Sequence, residues 1–219
     1  MQSIDFQNHN IIKSFTRRAG HKLSLAKQNI KDNLLPKYLL NIDNISEVAN
    51  KAPIIEIGFG KGENLIQQAL HNKDKFYIGC EVFYQGVISL VSEIEKLSIK
   101  NILVWPNDAD ILIEALPNKS CSDIFILFSD PWTKKRHHKR RFLQAQRIPK
   151  LISKLNSSGN IYFASDIENY IENVIADCVD MKIKYLVSEI SPFEHYSPTR
   201  YHQKAQTMAR KVSFIKIHA

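Results

Sequence analysis

The feature that most constrains this chain is an alternation of short apolar runs with helix-like segments through its middle. Ile54–Phe59 is a β-branched run that ends in glycines, and Asn64–Leu70 follows with helical character. Phe76–Val82 reads as a second strand, and Val87–Leu97 as a helix with apolar residues at 87, 90, 91, 94 and 97. Ile102–Trp105 and Ile111–Leu116 repeat the pair. Ile124–Phe128 is an uninterrupted apolar run, the pattern of a parallel strand covered on both faces. Phe142–Leu155 reads as a helix that Pro149 ends or bends. Ile161–Ala164, a helix at Ile167–Cys178, Tyr185–Ile190 and Val212–Ile217 complete the pattern, the last closing the sheet. A strand–helix–strand order predicts an α/β fold with a doubly wound, mainly parallel sheet. No Pro/Gly/Ser-rich linker divides it, so the expectation is one domain over 41–219, preceded by a basic N-terminal extension over 1–40.

Composition narrows the class. The 219 residues are 44% apolar, enough for one sizeable core and too apolar for a disordered chain. The apolar runs fall far short of the roughly 18 residues that a membrane span needs. Met1–Asn10 is polar and does not read as a secretory signal. Three cysteines (Cys80, Cys121, Cys178) lie far apart and form no C-x-x-C pair, which disfavours both a disulfide framework and a zinc ribbon. A reducing, cytoplasmic compartment, a monomer and no membrane partner are expected. Thirty Lys and Arg against 22 Asp and Glu give a net charge of +8, which favours a polyanionic partner. The cations cluster. Six of the eight residues from Lys134 to Arg141 are Lys or Arg, and Lys13, Arg17, Arg18, Lys22 and Lys27 form a second group. Cations packed this densely repel one another and gain from a counter-anion.

Glu56-Ile57-Gly58-Phe59-Gly60-Lys61-Gly62 sits where the first strand should pass into the first helix. Glycines there let the backbone approach a ligand, and this end of an open α/β sheet is where nucleotide-like ligands bind. The G-x-G-x-G spacing lacks the G-x-G-x-x-G pattern that seats a pyrophosphate. Glu81 ends the second strand 19 residues after Gly62, near the ~20-residue spacing of an acid that grips a ribose diol. Asp108 ends the third strand, placed either to accept from an adenine amino group or to cap the next helix. Acids and glycines at three successive strand ends suit adenosine, and an adenosine without a phosphate points to S-adenosylmethionine. Glu56 then lies near the cationic methionine part.

The fourth strand ends in Phe128-Ser129-Asp130-Pro131-Trp132, and the basic run follows directly. Proline fixes the chain after the strand, and tryptophan offers a broad face for a base. Asp130 then faces the crevice where cofactor and substrate meet, with cations on its rim to hold phosphates. His137 and His138 are sequence neighbours without Cys or acidic partners, so no metal site is expected.

The segments Glu56–Gly62, Gly79–Gly86 and Asp130–Arg141, with Asp166 and Thr199–His202, resemble the tRNA (guanine-N7-)-methyltransferases of the bacterial single-chain type. Phe128–Arg141 is similar to that family's F-x-D-P-W-x-K-x-R-H-x-K-R-R signature, and Ser14-Phe15 with Arg17, Arg18 and Gly20 resembles its basic N-terminal segment. The resemblance implies a Rossmann-like class I methyltransferase, a seven-stranded sheet with a final antiparallel strand, and methylation of N7 of guanine 46 in the tRNA variable loop. It implies cofactor contacts at Glu56, Gly58, Gly60, Glu81, Asp108 and Asp130, with Asp130 also catalytic. It implies substrate contacts at Lys134, Asp166, Thr199, Arg200, Tyr201 and His202, and RNA contacts at Arg136, His137, His138, Lys139, Arg140 and Arg141. His202 replaces a family acid, and Ser129 replaces the usual proline.

Three other classes compete. A nicotinamide-dependent oxidoreductase tolerates the glycine turn but gives the basic run no task. A methyltransferase of exocyclic adenine or cytosine amines shares Asp-Pro but usually carries a second proline at the aromatic step. An RNA-binding protein that kept the fold and lost catalysis is favoured by His202. The basic N-terminal stretch, lacking an apolar stripe, is expected to be mobile without RNA.

Overall fold

The computed structural model describes residues 23–219. The segments Lys13, Arg17, Arg18 and Lys22, and the Ser14–Gly20 likeness, lie outside the described residues. Seven strands form one sheet: β1 (Ile54–Ile57), β2 (Tyr77–Cys80), β3 (Ile102–Trp105), β4 (Cys121–Leu127), β5 (Leu155–Ser165), β6 (Tyr185–Ser188) and β7 (Ser213–His218). Their order is β3-β2-β1-β4-β5-β7-β6. The first five run parallel, and β7 lies antiparallel to both of its neighbours. The expectation that the last strand closes the sheet is corrected: β7 enters between β5 and β6, and β6 forms the margin.

Helices cover both faces, and two short ones, α1 (Leu25–Asn29) and α2 (Ile45–Ala49), precede β1. One layer joins α5 (Ala109–Ala115), α6 (Ile148–Lys154) and α7 (Glu168–Asp180) to Ile55, Ile57, Ile124 and Ile126. The other joins α3 (Glu63–His71) and α4 (Tyr84–Lys96) to Ile54, Phe125 and Leu127. β4 is buried from Ile124 to Leu127, which explains its uninterrupted apolar run between two helix layers. Each pair of parallel strands needs a crossover, and the helices between strands supply it.

Two sequence expectations are revised by packing. The predicted helix over Phe142–Leu155 begins only at Ile148, because Pro149 sits in its first turn, where a missing N–H leaves no gap in the hydrogen bonding. The described part of the predicted extension is also packed. Leu35 and Leu40 are buried, and Ile30, Leu34 and Tyr38 lie against the α3–α4 layer. Leu39 bridges Val104 in parallel, and Leu40 N–H donates to the Val104 carbonyl at 2.9 Å. An apolar stripe that the sequence reading missed therefore anchors residues 30–40 along β3.

Candidate active site and nucleic-acid interface

The parallel order β3-β2-β1-β4 brings four strand ends side by side. Asp108 follows β3, Glu81 follows β2, the glycine turn follows β1 and Asp130 follows β4. At about 4.8 Å per strand, these groups span roughly 15 Å, the width of one crevice.

The glycine turn is shaped for close approach. Gly58 and Gly60 have φ of 74° and 60°, and a Cβ on either would meet nothing within 4 Å, so the turn presents an open face of backbone. Beneath it α4 packs tightly: a Cβ on Gly86 would stand 2.0 Å from the Gly60 carbonyl oxygen. Glu81 staples the same turn to the start of α4. Its Oε2 accepts from Gly60 N–H at 3.0 Å, and its Oε1 accepts from Val82 and Phe83 N–H at 2.8 and 2.9 Å. A carboxylate offers about four acceptor positions. Three are taken, so Glu81 has room for one hydroxyl of a ribose diol, not for two as the sequence reading supposed. Burial raises its pKa, the three backbone donors oppose that rise, and the charge of Asp130 adds to it. Asp130 is exposed at the end of β4, the strand beside β1 and its glycine turn.

Glu56 is 1% exposed at the floor of the turn, where Asn64 Nδ2 donates to its Oε2 at 2.9 Å. Burial pushes its pKa up to about 8, against the Asn64 hydrogen bond and with help from Glu63 and Glu81. Asn64 Oδ1 is buried without a partner beside it. Asp108 is the N-cap of α5, its Oδ1 accepting from Asp110 N–H at 2.9 Å. The capping role weighed in the sequence is therefore present. The residues fit an adenosine-bearing cofactor: an open backbone cradle, an acid with one acceptor position left, and a buried acid beneath.

The basic run divides into two parts. Lys134 and Arg136 are exposed, as is Lys139, and Lys135–Arg140 forms a short 3-10 turn in which His137 N–H donates to the Lys134 carbonyl. Burial and the neighbouring cations Arg140, Arg136, Lys134 and Lys139 hold the pKa of His137 below its ordinary value. Trp132 lies between this imidazole, edge-on at 5.8 Å, and the Arg140 guanidinium at 5.0 Å. Arg141 corrects the sequence reading. It is 2% exposed, with Nε donating to the Pro131 carbonyl at 2.8 Å and Nη1 to Asn173 Oδ1 at 2.5 Å. Nη1 and Nη2 donate to the Asn169 carbonyl and Oδ1, each at 3.2 Å, and the guanidinium stacks 4.6 Å over Tyr170. It anchors the Asp-Pro-Trp loop to α7 and does not face solvent.

The remaining predicted residues gather at the carboxyl ends of β5 and in α8 (Arg200–Thr207). Asp166 Oδ2 accepts from Arg210 at 3.0 Å. Thr199 is the buried N-cap of α8, accepting from His202 N–H at 3.3 Å. Arg200 and Tyr201 are exposed. The ring of His202 lies 5.7 Å from Phe128, two residues before Asp130, so α8 borders the same crevice. Two groups escaped the sequence reading. Tyr196 places its hydroxyl 2.7 Å from His202 Nδ1, and Arg147 makes a buried two-point pair with Asp110 at 3.0 and 2.7 Å. A tyrosine six residues before His202 was the available signal for the first. A groove of about 240 Å³ lined by Gln68, Asn72, Lys75, Asp123, Phe193 and His195 lies toward the opposite, amino ends of β1 and β4. Among the described residues no His/Cys/Asp/Glu group is arranged to hold a metal, and no helix is long and apolar enough to cross a membrane.

Comparisons with known proteins agree with this geometry. The model of a family described as "Putative methyltransferase" matches residues 50–215. A Wolbachia pipientis wMel protein named tRNA (guanine-N(7)-)-methyltransferase is 37% identical, over 97% of this chain and 94% of that protein. A "Bifunctional methyltransferase" of Rickettsia prowazekii (strain Madrid E) is 38% identical over 96% of this chain but 43% of its own length. The chain thus spans about two-fifths of the bifunctional relatives that it matches. Among solved structures, the 16S rRNA methyltransferase KamB superimposes with a TM-score of 0.57 at 9% identity, over 80% of this chain and 92% of that one. An rRNA methylase from Streptococcus thermophilus gives 0.52 at 10% identity, over 91% and 98%. These two likenesses establish the class I methyltransferase fold. The residue-level match over nearly the whole length of the Wolbachia protein goes further: the chain belongs to the tRNA (guanine-N(7)-)-methyltransferase family.

Proposed function

We propose that this protein transfers the methyl group of S-adenosylmethionine to N7 of guanine 46 in the variable loop of tRNA. The observation that carries the reading is the adjacency of Asp130 to both halves of the machinery. It follows β4, beside the glycine turn that follows β1, and Pro131-Trp132 leads straight from it into the exposed cations Lys134, Arg136 and Lys139. The cofactor, when bound, supplies an electrophilic methyl group on a sulfonium. Glu56, Gly58, Gly60, Glu81 and Asp108 would hold it.

Guanine N7 attacks through a lone pair and has no proton to lose, so the chain needs no obligatory general base. Its residues must align N7 with the methyl carbon and keep water out. Asp130 is the catalytic group: it orients the base edge and stabilises the positive charge that grows on the imidazole ring. Lys134, Arg136 and Lys139 hold phosphates, while Arg141, from inside, fixes the loop that carries them. Asp166, Thr199, Arg200, Tyr201 and His202 form the opposite wall of the base site.

Membership of a methyltransferase family leaves the nicotinamide reading without support. The reading is tested by incubating the protein with methyl-labelled S-adenosylmethionine and an unmodified tRNA transcript, then cleaving the RNA at N7-methylated guanine. One cleavage at position 46, lost when that guanine is replaced by adenine, is expected. Label without cleavage would point instead to an exocyclic amine, and no label to an RNA-binding protein without catalysis.

A further inference from the structure

Tyr170 on α7 is 0% exposed, and its phenol oxygen is where the two ends of the Asp-Pro-Trp loop meet. At the far end, Leu143 N–H donates to it at 2.9 Å. At the near end, Ser129 Oγ shares a hydrogen bond with it at 3.4 Å, in which either oxygen can donate. The ring is set against Phe163 of β5, edge to face at 4.8 Å, and carries the Arg141 guanidinium over its own face at 4.6 Å. Arg141 in turn donates from Nε to the Pro131 carbonyl at 2.8 Å. Asp130 is therefore an exposed residue between two tethered neighbours, Ser129 and Pro131, and both tethers lead to one buried side chain. The backbone on either side needs that restraint. Phe128 and Trp132 have φ of 55° and 43°, in the left-handed region that residues other than glycine hold only where their surroundings fix them.

We infer that Tyr170 is a positioning residue for methyl transfer, whose hydroxyl acts through Ser129 to set where Asp130 stands at the end of β4. The inference rests on the role given to Asp130 in the guanine-N7 reading above. A carboxylate that orients a base works only within a narrow range of positions, so a loosened loop costs rate before it costs affinity. The hydroxyl is the part that matters. A phenylalanine at 170 fills the same space, keeps the Phe163 contact and the place for Arg141, and loses only the links to Ser129 and Leu143.

Tyr170→Phe and Ser129→Ala break the same link from its two sides in the full chain. Ser129→Ala leaves α7 and the core untouched, so it carries the test by itself if Tyr170→Phe does not fold. With S-adenosylmethionine and unmodified tRNA both saturating, each variant should slow single-turnover methyl transfer, Tyr170→Phe on the order of tenfold, while both Kd values stay within about twofold. The double variant should be no slower than Tyr170→Phe alone, because the two changes remove one link. A second arm needs no substrate. With 5-fluorotryptophan at both tryptophans, 19F NMR should show the Trp132 signal, assigned by its loss in Trp132→Phe, shifted or broadened in each variant. The Trp105 signal should stay in place, which a general loosening of the core would not allow. An unchanged rate in both variants, losses that multiply in the double variant, or a Trp132 signal that neither variant moves overturns the inference. Failure of the wild-type chain to methylate guanine would instead remove the functional reading, and the 19F arm would still decide whether Tyr170 holds the loop.

Discussion

Glu56 keeps a proton that an exposed glutamate would have lost. Its folded pKa of about 8 stands above the ordinary 4.5, so between those values the native chain holds a proton that the unfolded chain releases. Stability must fall as pH rises through that window, by about 1.4 kcal/mol per pH unit from this one group. Glu56→Gln keeps an acceptor for Asn64 and removes the titration, so urea melts between pH 5 and 8 should show the slope reduced by about that amount. Asp130 makes the contrasting case at the exposed rim. Asp130→Asn removes the charge with little change of shape, and single-turnover methyl transfer should slow by roughly tenfold to a hundredfold while tRNA affinity holds. An unchanged single-turnover rate would remove Asp130 from catalysis.

Among the elements, the basic turn shows what a sequence can and cannot convey. Its six cations look alike in order, and their density alone pointed to a polyanion. Which of them turns inward is decided some thirty residues later, by Asn169 and Asn173 on α7, and no local pattern announces that. The substitutions should therefore separate. Arg141→Ala strands the Pro131 carbonyl and two asparagines and should cost about 2–4 kcal/mol of stability in a thermal melt. Arg136→Ala should leave the melt unchanged while lowering the salt dependence of tRNA binding by about one counterion. The strands were the most legible elements: Ile102–Trp105 falls on β3 at both ends, because β-branched runs between turns leave little choice. The helix before β5 is shorter than its pattern suggests, because Pro149 occupies its first turn and neither ends nor bends it. Tyr196 had no periodicity to mark it. It lies between Pro192 and Pro198, outside any strand or helix, and gains its role only when α8 swings His202 beside it. The site was thus readable where chemistry is written in strand ends, and hidden where it depends on contacts between distant segments.

Across the whole molecule, the two margins of the sheet differ. Along β3 the margin is covered by residues 30–40, whereas β6 shows Leu186 and Val187, 54% and 42% exposed. Among the described residues β6 pairs with β7 alone, through Tyr185–Ile217 to Ser188–Phe214. Deleting 213–218 should leave β6 without a partner strand, bare one flank of β5 and give an insoluble product, where deleting β6 alone would bare only one flank of β7. Circular dichroism and sedimentation of the two deletions would distinguish them.

The placement of β7 also separates the order in which the molecule is written from the order in which it can be assembled. Residues 185–188 are made before 213–218 and yet, among the described residues, find their strand partner only in that later stretch. Maturation of this half of the protein is therefore a keystone event: the flank waits, and a late arrival locks it.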